Sequence, residues 1–179
     1  MHISQNLIKM DAVSYYNSIG NSYEKLYSRE QENKIRFFLS KLAIKKDDKI
    51  LDAGAGSGIL ENILKENEIT ALEPSNMADM IIKKKLSNVS VVKKTIQDFD
   101  YVGKFNIVFC ITVLQDINEE ERSKILKKLF SLTAENGHLI ISVLKASNID
   151  LSNLNPVESG YIENDRYFIF FNDGKSFLS

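Results

Sequence analysis

The sequence predicts an α/β fold: a doubly wound, mostly parallel sheet closed by an antiparallel C-terminal hairpin. Three observations carry that prediction. Segments of strand and helix periodicity alternate along the chain. The run FNIVFCITVL, residues 105–114, is apolar almost throughout, as a central parallel strand covered on both faces must be. Gly54, Gly56 and Gly58 directly follow the short strand-like run KILDA. In such folds ligands bind at the C-terminal ends of the strands.

The elements follow in order. SREQENKIRFFLSKL reads as a helix with Ser28 as N-cap and Gln31 three residues on, carrying Ile35, Phe38, Leu39 and Leu42 on one stripe. KILDAG is the first strand, and ILENILKENE returns to helical spacing at Ile59, Leu60, Ile63 and Leu64. ITALEPS is the second strand, broken at Pro74, and SNMADMIIKKKL is a helix with Ser75 as candidate cap. VSVVKKTIQDF is a strand whose end carries Gln97 and Asp98. After the central strand, NEEERSKILKKLFSLTAENG begins with Asn118 and Glu121 in capping-box register, turns Ile125, Leu126, Leu129 and Phe130 inward, and stops near Gly137. HLIISVL is the fifth strand, and GYIENDRYFIFFN folds back around Asn164 and Asp165 as the hairpin.

Composition narrows the function classes. A chain of 179 residues fits one domain, 1–179, with residues 1–45 as an N-terminal helical cover. A net charge of −1 supplies no global field toward nucleic acid or an anionic membrane, and the lysines at 83–85, 93 and 94 read as solvated surface. A single cysteine, Cys110, excludes a disulfide framework and a thiolate metal cluster, and no metal is expected. No apolar run approaches the ~20 residues of a membrane helix, so the expectation is a soluble, cytoplasmic protein without a membrane partner.

The glycines specify the ligand class. Without Cβ atoms, Gly54, Gly56 and Gly58 can take left-handed angles and let a ligand lie against the backbone, whose free amides at a helix start attract negative charge. That favours a nucleotide. A dinucleotide turn wants G-x-G-x-x-G, whereas here Ile59 follows G-x-G-x-G, which argues against a nicotinamide-dependent oxidoreductase. Glu73 ends the second strand about twenty positions on, where a carboxylate accepts hydrogen bonds from a ribose.

With these residues in place the chain resembles the class I S-adenosylmethionine-dependent methyltransferases, over roughly residues 12–145. ILDAGAGSG resembles the first motif of that family, which implies that Asp52 organises the turn while the bare backbone contacts the methionine part of the cofactor. ALEPS resembles the second, implying that Glu73 binds the ribose hydroxyls and that Pro74 and Met77 flank the adenine. IQDF resembles the third, implying that Asp98 accepts from the adenine amino group and the amide of Gln97 meets a ring nitrogen. FNIVFCITVLQDI resembles the fourth, implying that backbone around Cys110 and Ile111 faces the methionine end. The segment YYNSIGNSYEKLY is similar to a tyrosine-rich pattern that precedes the core in many small members, with Asn17, Gly20 and Glu24 in place of the usual residues. Tyr16, Tyr23 and Tyr27 either close over the cofactor, Tyr16 first among them, or pack the N-terminal helix onto the domain.

The resemblance implies a Rossmann-like fold, S-adenosylmethionine as cofactor, and in-line displacement by an acceptor nucleophile that needs alignment and water exclusion rather than a metal. The acceptor is open, because few residues follow the fifth strand to read as a substrate domain; a small molecule is favoured over RNA or protein, since the fourth motif lacks the Asn-Pro-Pro-Tyr type sequence by which some members hold an amide or base nitrogen. No catalytic residue is assigned. Asp116 stands where many small-molecule methyltransferases carry a histidine, and is a candidate base for a protonated acceptor only; His138 begins the fifth strand, away from the ligand end, and His2 lies in the terminus. A cofactor-binding, non-catalytic partner subunit is the rival reading.

Overall fold

Ile50 and Leu51 are neighbours in the first strand and enter different hydrophobic cores. That two-sided burial generates the three-layer architecture. The computed structural model describes residues 12–175, with the side chains of 12 and 19–27 outside the description. In chain order the elements are α1 (Ala12–Lys41), β1 (Lys49–Ala53), α2 (Ile59–Ile63), β2 (Glu68–Leu72), α3 (Ala78–Lys83), β3 (Val89–Val92), β4 (Phe105–Ile111), α4 (Glu119–Leu132), β5 (Thr133–Leu144), β6 (Glu158–Ile162) and β7 (Asp165–Phe171).

The seven strands form one sheet in the order β3-β2-β1-β4-β5-β7-β6. Pairings from β3 through β5 are parallel, and β7 runs antiparallel to both β5 and β6. The doubly wound sheet with its C-terminal hairpin is therefore the predicted one. Side chains alternate across each strand. Ile50, Ile69, Ile107, Phe109, Ile140 and Ile169 pack with Ile35 and Phe38 of α1 and Leu60 of α2. Leu51, Val108, Cys110, Leu139, Ile141 and Phe168 face the other way, onto Ile125, Leu129 and Phe130 of α4. The chain leaves β1 toward β2 and β3 on one side, then returns to lay β4 on the other. This strand-order reversal opens a crevice at the C-terminal ends of β1 and β4.

Several boundaries differ from the sequence reading. Ser28 is not an N-cap: α1 runs unbroken from Ala12, so Ser28 lies in its interior. The helix after β1 spans only Ile59–Ile63, and β3 ends at Val92, leaving Gln97 and Asp98 in the following turn. Ser75 is not the N-cap of α3, which is Met77, but its hydroxyl accepts from the Met77 amide at 3.2 Å. The helix α4 stops at Leu132, not near Gly137, and passes without a loop into β5. Gly137 serves a different purpose: a Cβ there would lie 2.6 Å from the Asn106 carbonyl oxygen, so only glycine permits that close approach to β4.

Candidate functional site

Gly54, Gly56 and Gly58 have φ of 90°, 54° and 80°, all left-handed, so the turn after β1 needs residues without a Cβ penalty. The turn is fastened to β2, where the amides of Gly54 and Ala55 both donate to the Leu72 carbonyl, at 2.8 and 3.1 Å. Glu73 completes the tie. One carboxylate oxygen accepts from the Gly56 amide and the other from the Ser75 amide, each at 2.9 Å, and the residue is only 6% exposed.

Beside this clamp lies a cavity of about 260 Å³. Gly54, Gly56, Glu73, Pro74, Met77 and Ile111 line it, as do Tyr16 from α1 and Gln97 from the turn after β3. A smaller recess of about 40 Å³ beneath α1 takes Asp52, together with Gly54, Gly56, Ile111 and Gln31. The other residues that the sequence nominates lie elsewhere. Gly58 lines neither space and starts α2. Asp98 also lines neither; it is exposed and its carboxylate accepts from the Thr95 hydroxyl at 2.7 Å. Cys110 is wholly buried in the α4-side core, where burial pushes its thiol up out of the reactive range. The side chains of Tyr23 and Tyr27, and His2, lie outside the described residues.

The opposite wall comes from Asp116, which the sequence names as a candidate base, and from residues to which the sequence gives no role in the site. Thr112 and Val113 follow β4 and line the cavity, as does Asp116 in the 3₁₀ turn Leu114–Asp116. The spacing of Asn118 and Glu121 predicts side-chain caps for α4. Instead the Asn118 side chain makes no cap bond, its backbone carbonyl accepts from the amides of Glu121 and Arg122, and both residues line the cavity. The first turns of α1 cross the mouth. Tyr16 donates its hydroxyl to Asp116 Oδ2 at 2.9 Å, and the Asn17 side-chain oxygen accepts from the Asn76 amide at 2.7 Å.

Carboxyl groups crowd together under the glycine turn. Burial raises the Asp52 carboxyl well above its ordinary range, and the charges of Glu61 and Glu73 add to that. Burial likewise raises Glu61 to about 7, tempered by its own backbone amide and by Lys84. Neither Glu61 oxygen has a hydrogen-bond partner on another of the described residues. Asp116 is raised by burial, with the hydrogen bonds from Tyr16 and Gln115 acting against the shift. His138 sits mid-strand in β5, paired with Ile107 and Phe171, and takes no part in the cavity. Among the described residues no three His, Cys, Asp or Glu are grouped to hold a metal ion, and no helix is long and apolar enough to cross a membrane.

Known structures share this architecture. The magnesium protoporphyrin IX methyltransferase of Synechocystis, solved with bound S-adenosylmethionine, superposes with a TM-score of 0.74 at 17% identity, over 88% of this chain and 93% of that one. An N-methyltransferase from Bradyrhizobium japonicum gives 0.63 at 16% identity, over 86% and 98%. The 1,6-didemethyltoxoflavin-N1-methyltransferase of Burkholderia thailandensis, bound to 1,6-didemethyltoxoflavin and S-adenosylhomocysteine, gives 0.62 at 17% identity, over 90% and 70%. These likenesses establish a shared fold. No curated protein sequence matches the chain. The family model described as a methyltransferase domain matches residues 26–172, which take in the glycine turn, the Glu73 clamp and the C-terminal hairpin, and the chain belongs to that family.

Proposed function

We propose that the chain is a cytoplasmic S-adenosylmethionine-dependent methyltransferase acting on a small-molecule acceptor. The observation that carries the reading is the Glu73 clamp: a carboxylate at a strand end, oriented by two backbone amides and bordering a cavity floored by glycine. Such a carboxylate retains lone pairs for a vicinal diol while its own geometry is fixed in advance. The fit extends to Gly56, where a Cβ would meet nothing closer than the Met77 methyl at 3.6 Å, so the space above that backbone is open for a ligand.

On this reading Glu73 holds the ribose hydroxyls, Pro74 and Met77 flank the adenine, and Gln97 meets its edge. Gly54, Gly56 and Ile111 offer backbone to the methionine end, with Asp52 in the recess beneath. The turn after β3 brings Gln97 into this reading while Asp98 faces solvent, so Asp98 keeps at most an outer role. When bound, the cofactor supplies a methyl group on a sulfonium centre, an electrophile that the acceptor's lone pair attacks.

The chain's own contribution is alignment and exclusion of water. The first turns of α1 cover the cavity, with Tyr16 anchored on Asp116. For a protonated acceptor, Asp116 is the candidate proton acceptor, because burial already raises its pKa toward that task. A small acceptor is supported by the shared fold of enzymes whose names specify a porphyrin and a toxoflavin precursor.

Calorimetric titration tests the cofactor, and methyl transfer from labelled S-adenosylmethionine to panels of small molecules, peptides and RNA tests the acceptor. The expected result is binding of S-adenosylhomocysteine without binding of NAD, and labelling in the small-molecule panel. Affinity for NAD alone overturns the cofactor assignment. Labelling confined to peptides or RNA overturns the acceptor class, and binding without any transfer identifies a non-catalytic cofactor-binding subunit.

A further inference from the structure

Thr112 has φ of 57°, the left-handed region, at the point where the chain leaves β4 for the cavity wall. For a β-branched residue that conformation is an outlier, and it persists only where the surroundings impose it. The surroundings here are a buried polar network drawn from four separate elements. The Thr112 amide donates to the Ser142 carbonyl at 2.9 Å and to the Ser142 hydroxyl at 3.2 Å. Its hydroxyl donates to Asp165 Oδ2 at 2.6 Å and accepts from Lys34 Nζ at 3.3 Å. The Ser142 hydroxyl also donates to Asp165 Oδ2, at 2.6 Å. Lys34 Nζ pairs with Asp165 Oδ1 at 2.9 Å and with Glu30 Oε1 at 2.8 Å.

Lys34, Ser142 and Asp165 are all fully buried. A buried ion pair is a poor way to stabilise a fold, since apolar residues of similar volume often do as well or better. A buried pair does fix geometry, because each charged group demands its partners in place. All three ammonium donors of Lys34 and both carboxylate oxygens of Asp165 are satisfied here. What the network fixes is the turn at Thr112, which swings Val113 against the glycine turn. A Cβ on Gly54 would lie 2.4 Å from Val113 Cγ2. The two walls of the cavity therefore meet through Thr112 and Val113.

We propose that Lys34, Ser142 and Asp165 are positioning residues for the cofactor site: they hold Thr112 left-handed, so that the chain after β4 forms the wall facing Gly54. Lys34 belongs to α1, so the docking of the N-terminal helix and the shape of that wall are set by the same ion pair. The inference rests on the cofactor reading above for its functional consequence, and on the backbone geometry alone for its structural part.

Substitutions at Thr112 test it with little risk to folding. Thr112→Ser keeps the hydroxyl and removes the β-branch, and is expected to bind S-adenosylhomocysteine within about threefold of the parent protein. Thr112→Val is isosteric but loses the hydroxyl anchor, and is expected to weaken binding at least about tenfold while still unfolding cooperatively. Asp165→Asn should lose affinity and thermal stability together. Adding Thr112→Gly to it should restore most of the affinity, because glycine adopts the turn unaided, without restoring the stability. That split separates positioning from a merely structural role.

Parent-like binding by Thr112→Val overturns the proposal, as does a glycine double variant that recovers no affinity. Backbone Cα and Cβ chemical shifts of residue 112 report the left-handed turn without any ligand. If the parent protein does not bind S-adenosylhomocysteine, the cofactor reading fails, whereas the positioning role still stands or falls on those shifts. They should be left-handed in the parent protein and in Thr112→Ser, and not in Thr112→Val.

Discussion

The Tyr16 hydroxyl bonds Asp116 Oδ2 at 2.9 Å, joining the first turns of α1 to the turn after β4 across the mouth of the cavity. With the Asn17 to Asn76 contact, this is how the start of the helix reaches both rims of the site. The bond is exposed, so removing it costs roughly 0.5–1.5 kcal/mol, the range for an ordinary hydrogen bond. Tyr16→Phe is therefore expected to speed amide hydrogen exchange over residues 12–18 and to weaken S-adenosylhomocysteine several-fold. Saturating the parent protein with that ligand should slow exchange in the same segment. Exchange there that ignores both the substitution and the ligand means a static element rather than a movable cover.

Glu73 and Asp98 are predicted to separate cleanly. Glu73→Ala should weaken S-adenosylhomocysteine by about 1.5–3 kcal/mol, the range for hydrogen bonds to a charged group. Asp98→Ala should cost much less, because that carboxylate is exposed and already engaged by Thr95. Calorimetry on the two variants decides it, and a larger loss at Asp98 in folded protein would reverse the assignment.

The glycines of the turn have different constraints, so their alanine variants should fail differently. At Gly54 an added Cβ collides with Val113 on top of a φ of 90°, and Gly54→Ala should lose about 2–5 kcal/mol of stability. At Gly56 the Cβ has room in the protein, and Gly56→Ala should lose only about 1–2 kcal/mol from its left-handed backbone. Its methyl instead occupies the ligand's space, so binding should fall sharply while the fold persists. Denaturant titration and calorimetry, run in parallel, distinguish the two patterns.

Glu61 should leave a signature in the pH dependence of stability. Its folded pKa is raised from 4.5 to about 7, so the folded protein holds its proton more tightly than the unfolded chain does. The associated stability is fully present below pH 4.5 and is lost as pH rises through 7, a change of about 3 kcal/mol. Asp52 is shifted in the same direction by the same burial. Glu61→Gln, which cannot ionise, should flatten the fall in melting temperature between about pH 5 and pH 8 and leave the part owed to Asp52. An unchanged slope would show that Glu61 does not titrate in that window.

Periodicity in the chain is enough to predict both the sheet and the place of the glycine turn, because each strand's alternation and each helix's stripe is a local property. The errors fall where tertiary contacts outweigh local signals. Ser28 reads as a cap, yet α1 runs through it from Ala12, and Tyr16 and Asn17 hold those added first turns against Asp116 and Asn76. Asn118 and Glu121 have capping-box spacing, but their side chains border the cavity instead. Gly137 reads as a helix stop and is instead required by the nearness of Asn106 on the neighbouring strand.

By itself the sequence determined the fold class, the nucleotide-type turn at Gly54 to Gly58, and Glu73 at the end of the second strand, since each depends on residues close together in the chain. Only the tertiary structure decided that Gln97 rather than Asp98 borders the cavity, that Tyr16 meets Asp116, and that Lys34 and Asp165 pair in the interior. Lys34 carried one faint signal, a charge four residues before Phe38 and so on the buried face of α1. Asp165 carried none, reading simply as a turn residue of the hairpin. The physical reason is separation: the two stand 131 positions apart, and only the closed sheet brings an ammonium and a carboxylate to 2.9 Å in a place where neither can remain unpaired.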